Sequence, residues 1–312
     1  MTNAVYFAMY AGLAIFLLGC LLRIREYARL PLHLRWELYP VAHEEPERAR
    51  YGGSYFETGQ WWLSPQAVNH RGEFCAMFQE IAFLKGLWEY NRRLWPASYL
   101  FHFGLYVSIA AAALGGVGAA IRAYLSGVKF AQGAAWLLLA GKWLGAAGIA
   151  LVIAGAILLL ARRLSDPALK NYTKPADLFN LVFFLVAFGF LAAAWLENPS
   201  SVAAIVRGAW RFDGGVHVAA VPAIGVVLSC ALAAYIPFTH MAHFIAKYFT
   251  WHTVRWDDRR NERGGAIEAK IATALNYRPT WSAAHIGADG KRTWGEIAST
   301  NPNAHPNEET QK

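Results

Sequence analysis

Five apolar stretches, each long enough to cross a lipid bilayer, constrain this chain more than any other feature of its sequence. A helix needs about 20 largely apolar residues to span the hydrocarbon core. Charged residues make up only 16% of the chain, which is too few to cover a soluble protein of 312 residues. We therefore predict an all-α integral membrane protein with five transmembrane helices, in the windows 4–22, 99–121, 136–161, 178–196 and 216–248.

The ends of these windows carry further information. The first window lacks a basic leader and is followed by Arg23, Arg25 and Arg29, which predicts an uncleaved signal-anchor helix. Pro222 and Pro237 predict kinks in the fifth span, because proline removes a backbone donor.

Lysine and arginine predict the orientation of the chain. With the N-terminus outside, 24 of the 29 basic residues fall on one side of the membrane. Because basic residues are retained in the cytoplasm, we predict an N-out, C-in protein of a prokaryotic inner (cytoplasmic) membrane. The implied organisation is a first span over 1–24, a cytoplasmic connection over 25–97, a four-helix membrane domain over 98–248 and a cytoplasmic extension over 249–312.

The two cytoplasmic segments contain apolar residues that need partners. Apolar positions recur every three or four residues between 73 and 95, which predicts an amphipathic helix that lies on the membrane surface or binds a partner. The C-terminal extension holds four tryptophans, which we expect either to dock a soluble protein or to pack on one another: Trp251, Trp256, Trp281 and Trp294.

The cysteines exclude several classes of protein. Cys20, Cys75 and Cys230 lie far apart, and the chain has no Cys-x-x-Cys pair. A disulfide scaffold, a zinc ribbon and an iron–sulfur cluster held by this chain alone are therefore excluded.

Histidines near the membrane are candidates for function, because ionisable groups in lipid are costly. His102 lies seven residues past Trp95, and His243 lies eight residues before Trp251. If both spans are regular helices, the two imidazoles lie at a similar depth, on the order of 10 Å from the cytoplasmic edge. Two imidazoles on separate helices can ligate one haem iron from its two faces.

Neighbouring residues bear on this haem site and leave alternatives. Gly104 and Ala242 are small and would leave room for a porphyrin ring. His240, one turn from His243, is an alternative iron ligand, or a hydrogen-bond partner for a haem propionate or a quinone carbonyl. The competing interpretation is that the histidines bridge helices or relay protons. His217 is expected at the outer surface.

Short motifs at these residues resemble a known family. Phe101-His102-Phe103-Gly104, Pro237 to His243 and the pair Arg162-Arg163 are similar to motifs of the gamma-subunit cytochrome b of respiratory nitrate reductase. The likeness is closer to the cytochrome b subunits of sulfate-reducer-type transmembrane redox complexes, whose partners are heterodisulfide-reductase-like iron–sulfur proteins. The segments that carry this closer likeness are 34–40, 51–56, 247–249, 255–258, 281–282 and 293–294.

The resemblance implies a cofactor and its ligands. It implies one haem b held by His102 and His243 as metal ligands, with His240 and Gly104 beside the cofactor. The family's second, outer haem would need histidines where this chain has Ala112 and Gly225, so we expect that haem to be absent. Lys142 lies about one turn from the register of a lysine near the family's quinol site, and we do not assign it.

The resemblance also implies a function. It implies an electron-transfer subunit of a respiratory quinol/quinone oxidoreductase complex, which exchanges electrons between menaquinone or ubiquinone and a cytoplasmic iron–sulfur subunit. The chain would have no catalytic activity without its haem and partner. The alternative function is a five-span anchor or transporter subunit without redox chemistry.

Overall fold

The computed structural model is helical throughout the residues that it describes. These are residues 1–30, 42, 44–63, 69–125, 127–257, 259–281 and 286–300, without the side chains of 254 and 255. The motif over 34–40, residue 258 and residue 282 therefore lie outside the described residues. In chain order the helices are α1 Thr2–Ala28, α2 Pro46–Tyr51, α3 His70–Phe83, α4 Lys85–Tyr90, α5 Trp95–Tyr124, α6 Val128–Ser165, α7 Pro167–Lys170, α8 Pro175–Glu197, α9 Ser201–Arg211, α10 Ala220–Tyr235, α11 His243–Thr250, α12 Ala266–Leu275 and α13 Trp294–Ser299.

Five of these helices are long and apolar enough to cross a membrane, which confirms the predicted number of spans. They are α1, α5, α6, α8 and α10, the last with the short 3-10 turn Ile236–Phe238 that follows it. Helix α6 is longer than its predicted window at both ends.

The kink predicted at Pro237 is confirmed, but the spanning helix is shorter than the predicted window 216–248. Helix α10 ends at Tyr235, and two 3-10 turns follow, Ile236–Phe238 and His240–Ala242. Between them Thr239 is extended, with φ −123° and ψ 175°. Pro237 accounts for the break, since it cannot donate to the helix and restricts the residue before it. Pro222 lies in the first turn of α10, where proline is tolerated, and causes no interruption.

The single amphipathic helix predicted between 73 and 95 is wrong. The segment forms α3 and α4, which are separated at Leu84 by a left-handed backbone conformation with φ 52°. Two side chains of α5 satisfy carbonyls in the last turn of α3. The Tyr106 hydroxyl donates to Ile81 O at 2.9 Å, and Trp95 Nε1 donates to Phe83 O at 2.8 Å.

The structure divides into two compact units, of which the first comprises Met1–Leu21 and Phe74–Ala242. Its larger core is formed by α5, α6, α8 and α10 around Phe101, Val152, Phe184 and Leu232. Within this core α5 packs along α6, α6 along α8, and α8 along α10. In a membrane the hydrophobic effect does not drive helices together, because lipid tails are as apolar as the side chains. The helices are instead held together by close packing of this kind.

A smaller cluster joins α1 to α9 and α10 around Tyr6, Ile205 and Val226. A Cβ built on Gly12 would come within 2.9 Å of the Cys230 carbonyl oxygen of α10, and one on Gly19 within 2.8 Å of Pro237 Cβ. The two glycines therefore allow α1 to approach the fifth span closely.

The second unit comprises Leu22–Glu73 and His243–Lys312. In it the Trp251 and Trp256 rings are buried and lie 4.9 Å apart. Trp281 and Trp294 form a second pair at 5.7 Å, but Trp281 is 52% exposed. The first pair thus packs on itself, while Trp281 keeps an exposed aromatic surface.

Candidate functional site

His102 lies in the second turn of α5, and its hydrogen bond determines its tautomer. Nδ1 lies 2.8 Å from the Ser98 carbonyl oxygen, one turn earlier in the helix, and 3.3 Å from Ser98 Oγ. A carbonyl oxygen can only accept, so Nδ1 carries a proton, and in the neutral imidazole the lone pair is on Nε2. Metal-ligating histidines commonly have this arrangement, in which the second nitrogen donates to a carbonyl.

The face of α5 that carries His102 differs from the face that packs on α6. His102 follows Trp95 by seven residues, which places it within roughly 20° of Trp95 around the helix axis. Phe101 and Gly104 are buried on the side of α6. His102 itself is only partly buried. The imidazole therefore lies outside the tight α5–α6 contact.

Helix α5 and helix α10 are not packed along each other in the residues that the structure describes. Both contact the other core helices, α5 through α6 and α10 through α8.

The structure gives a reason for a glycine at position 104 that the sequence alone did not reveal. A Cβ at this position would lie 2.7 Å from the Val152 amide nitrogen and 2.8 Å from Leu151 Cβ, both in α6. The glycine therefore allows the backbones of α5 and α6 to approach closely. Its predicted contact with a haem remains a prediction.

His240 and His243 lie in two consecutive elements, and the predicted one-turn relationship between them stays a prediction. His240 begins the second 3-10 turn of the first unit, whereas His243 begins α11 in the second unit. The distance from His243 to His217 cannot be counted along one straight helix, because Thr239 is extended.

His240 lies beside an acidic residue that the sequence analysis did not consider. Its Nε2 is 3.7 Å from Asp177 Oδ1. The other Asp177 oxygen, Oδ2, accepts from the Lys174 backbone N–H at 3.0 Å and from Arg163 Nη1 at 3.3 Å. Asp177 thus joins the end of α6, the first turn of α8 and the turn that carries His240. A proline followed two residues later by an acidic residue is a helix-start signal that marks Asp177, but not its tertiary partners.

Asn180, one turn after Asp177, is a second residue that the sequence analysis missed. Its side chain is buried, and Oδ1 accepts from the Tyr235 hydroxyl at 3.1 Å. Within the described part of the chain Nδ2 has no hydrogen-bond partner. A buried amide donor without a partner is costly, and it would suit an acidic group such as a haem propionate.

A family comparison matches the model "Nitrate reductase gamma subunit" over residues 87–257, more than half of the chain. The chain belongs to the nitrate reductase gamma subunit family. This family consists of membrane haem b electron-transfer subunits of redox complexes, and the match confirms the resemblance at this level. No curated protein matches the chain significantly. The matched range of the gamma-subunit domain includes His102, His240 and His243.

The residues of this gamma-subunit family member fit a haem on two observations. His102 directs Nδ1 to a backbone carbonyl, as ligating histidines commonly do, and Asn180 offers a buried donor. The described residues contain no group of three or more histidine, cysteine or acidic side chains suited to a metal ion. A haem iron requires only two axial side chains, so this observation does not bear on it.

The two positions at which the gamma subunits carry the histidines of an outer haem are Ala112 and Gly225 in this chain. Ala112 is exposed on α5. Gly225 packs against α8, where an added Cβ would lie 3.1 Å from the Leu191 backbone nitrogen. His217 is exposed in the loop before α10. Lys142 lies 5.6 Å from the centre of the Trp143 ring, in a cation–π contact.

Proposed function

We propose that this protein carries electrons between membrane quinone and a cytoplasmic iron–sulfur subunit through one haem b. The proposal rests chiefly on one observation, the Nδ1–H of His102 directed to the Ser98 carbonyl within a gamma-subunit domain. In the proposed orientation the N-terminus lies outside and the C-terminus in the cytoplasm of a prokaryotic inner membrane. The partner is proposed to be a heterodisulfide-reductase-like iron–sulfur protein.

The proposed axial ligands are His102 and His243. His240 is the less suitable ligand, because its Nε2 faces Asp177 at 3.7 Å. We assign His240 the role of a positioning residue, together with Asn180, for the acidic edge of the porphyrin. A bound haem b supplies one-electron chemistry. The protein residues fix the ligand tautomer, limit water and hold the propionates.

One haem per chain is proposed rather than two. Ala112 and Gly225 cannot ligate iron, and Gly225 is packed against Leu191 of α8. A histidine at Gly225 would require the α8–α10 contact to open. With one haem near the cytoplasmic end, quinone chemistry would exchange protons on that side and generate little membrane potential.

The C-terminal extension is proposed to dock the iron–sulfur partner. Trp281, 52% exposed, is the aromatic side chain that this role requires. Exposed tryptophan is enriched among residues that dominate protein–protein binding energy.

Visible absorption tests the proposed function. The purified, dithionite-reduced protein should show a b-type α-band, and pyridine haemochrome should give about one haem per chain, as two axial ligands predict. A colourless native preparation would contradict the redox function and favour a membrane anchor without electron transfer. Strong charge separation in proteoliposomes would contradict the single-haem arrangement.

A further inference from the structure

A pocket of about 370 Å³ lies where α3, α4 and α5 meet, in the first unit. It is lined by Gln79, Phe83, Lys85, Trp88 and Trp95. Three of the five lining side chains are aromatic and two are polar. Small-molecule sites typically have this composition and a volume of about 300–1,000 Å³.

The aromatic walls are held in place by specific contacts. Trp95 Nε1 donates to Phe83 O at 2.8 Å, and the Trp88 and Trp95 rings lie 4.9 Å apart. The Arg92 guanidinium lies 4.9 Å from the centre of the Trp88 ring. Tyr99 stacks on Trp95 from the next turn of α5, with ring centres 4.6 Å apart. The Trp88 and Trp95 rings are in direct edge-to-face contact, so they form one fixed aromatic wall against which a flat ligand can pack.

The polar groups lie together on one side of the pocket. Lys85 Nζ donates to Gln79 Oε1 at 3.1 Å and lies 3.9 Å from Glu89 Oε1. The amide group of Gln79 and the ammonium of Lys85 can therefore both donate to one ligand oxygen. Because Glu89 balances the charge of Lys85, the group favours a neutral ligand with carbonyl oxygens over a phosphate.

The surroundings of the pocket also match an amphipathic ligand with an apolar tail. Phe74, Phe78 and Ile81 of α3 are exposed, at 69%, 53% and 43%. The Phe78 ring lies 6.2 Å from Phe74 and 6.0 Å from the pocket residue Phe83, so this apolar surface adjoins the pocket. An isoprenoid chain would be solvated there, while its ring packs against the aromatic wall of the pocket.

The pocket lies close to the proposed haem ligand. Trp95 begins α5, and His102 lies seven residues later, about 10 Å along the axis and within roughly 20° of the same face. A ring beside Trp95 would therefore be near the imidazole without contacting it.

We propose that the pocket formed by Gln79, Phe83, Lys85, Trp88 and Trp95 binds the head group of a membrane quinone. This assignment rests on the proposed function, which requires quinone, and adds the location of its site. The quinone ring packs against the aromatic wall of the pocket, and one carbonyl oxygen accepts from Lys85 and Gln79. The tail runs along the exposed face of α3.

Photolabelling of the haem-loaded full-length protein in phospholipid vesicles tests this assignment. The probe is an azidonaphthoquinone, and the labelled peptides are identified by mass spectrometry. We expect the label within residues 79–95, and excess unlabelled naphthoquinone should remove it. Lys85→Met and Gln79→Leu should each raise the dissociation constant of the probe about ten-fold, since each removes one donor.

Lys129→Met is the matched control, since Lys129 is an exposed lysine in the first turn of α6, beyond the opposite end of α5. It should leave probe binding unchanged. All three variants should retain the reduced haem spectrum of the parent, which separates a binding defect from misfolding. Trp88→Leu is a further variant that does not alter the polar groups, because it removes one aromatic side of the pocket without changing its charge.

Three results would overturn the assignment. Competed label outside 79–95 with a normal haem spectrum would refute the pocket but leave the electron-transfer proposal intact. Phospholipid that co-purifies at the pocket and is not displaced by naphthoquinone would identify it as a lipid cleft. No competed label anywhere, in protein with its full haem content, would refute the pocket and the quinone part of the proposed function together.

Discussion

The Nδ1 atom of His102 lies 2.8 Å from the carbonyl oxygen of Ser98, one helical turn earlier in α5. The acceptor belongs to the backbone, so the orientation of this imidazole is built into the helix rather than into a replaceable side chain. The lone pair is placed on Nε2, the nitrogen at the outer end of the ring.

The first prediction compares loss of the His102 imidazole with loss of the Ser98 side chain. His102→Ala should reduce haem content from about one per chain to near zero, because one axial ligand is lost. Ser98→Ala should retain it, because the backbone carbonyl remains. Pyridine haemochrome on protein of equal purity measures both. A His102→Ala variant with full haem content would refute His102 as a ligand.

The second prediction distinguishes the two histidines that follow the fifth span. His243→Ala should lose haem, whereas His240→Ala should keep it, because the Nε2 of His240 faces Asp177 at 3.7 Å. The α-band of the reduced protein is the measurement. His217→Ala is the control, since His217 is exposed in a loop. The assignment of ligands would be reversed if His240→Ala were colourless and His243→Ala were not.

The third prediction concerns the packing of α5 on α6. Gly104→Ala places a Cβ 2.7 Å from the Val152 amide nitrogen and should destabilise the protein by about 1–3 kcal/mol. Gly115→Ala, in the same helix, meets nothing within 4 Å and should be neutral or slightly stabilising. Thermal unfolding in detergent compares the two. Loss of haem from Gly104→Ala without loss of stability would instead favour a direct contact with the cofactor.

The fourth prediction follows from the loop before α13. The backbone N–H groups of Lys291 and Arg292 each donate to Asp289 Oδ1 at 2.9 Å, and these bonds lower the pKa of Asp289 to about 2. Because the folded pKa lies below the ordinary value of 3.8, the carboxylate stabilises the loop above about pH 4, and this contribution is lost as pH falls toward 2.

Carbon-13 NMR of the labelled Asp289 carboxyl measures this titration directly. A midpoint near pH 2 is expected, since the pKa is lowered to about 2, and Asp289→Asn should remove the signal. A midpoint near 4 would show that the two backbone bonds do not persist in solution.

The fifth prediction concerns the proposed partner surface. Trp281→Ala should weaken binding of the iron–sulfur partner by at least about ten-fold, if Trp281 is an anchor of the interface. Trp256→Ala should instead destabilise the second unit, because Trp256 is buried against Trp251. Surface plasmon resonance measures partner binding, and circular dichroism measures folding. Unchanged partner affinity in Trp281→Ala would exclude Trp281 from the interface.

The sequence by itself predicted the membrane spans, because a run of about 20 apolar residues is a local property that any bilayer-spanning helix requires. Short motifs also led to the family, and the match over 87–257 confirms it. The two helix breaks differ in how far the sequence reveals them. Pro237 predicts the interruption within 216–248, because proline cannot donate to a helix. Nothing in the sequence marks the left-handed conformation of Leu84 that divides 73–95.

Only the tertiary structure decided which distant residues meet. Asp177 and His240 are 63 positions apart in the sequence, and Tyr106 satisfies a carbonyl 25 residues earlier. The close contact of Gly104 with Val152 of α6 is likewise visible only in the folded protein. The run of apolar residues determines which segments enter the membrane, because the free energy of transfer into lipid is a sum over individual side chains. Hydrogen bonds and close helix contacts depend on the arrangement of whole helices, and these contacts define the pocket at Trp95.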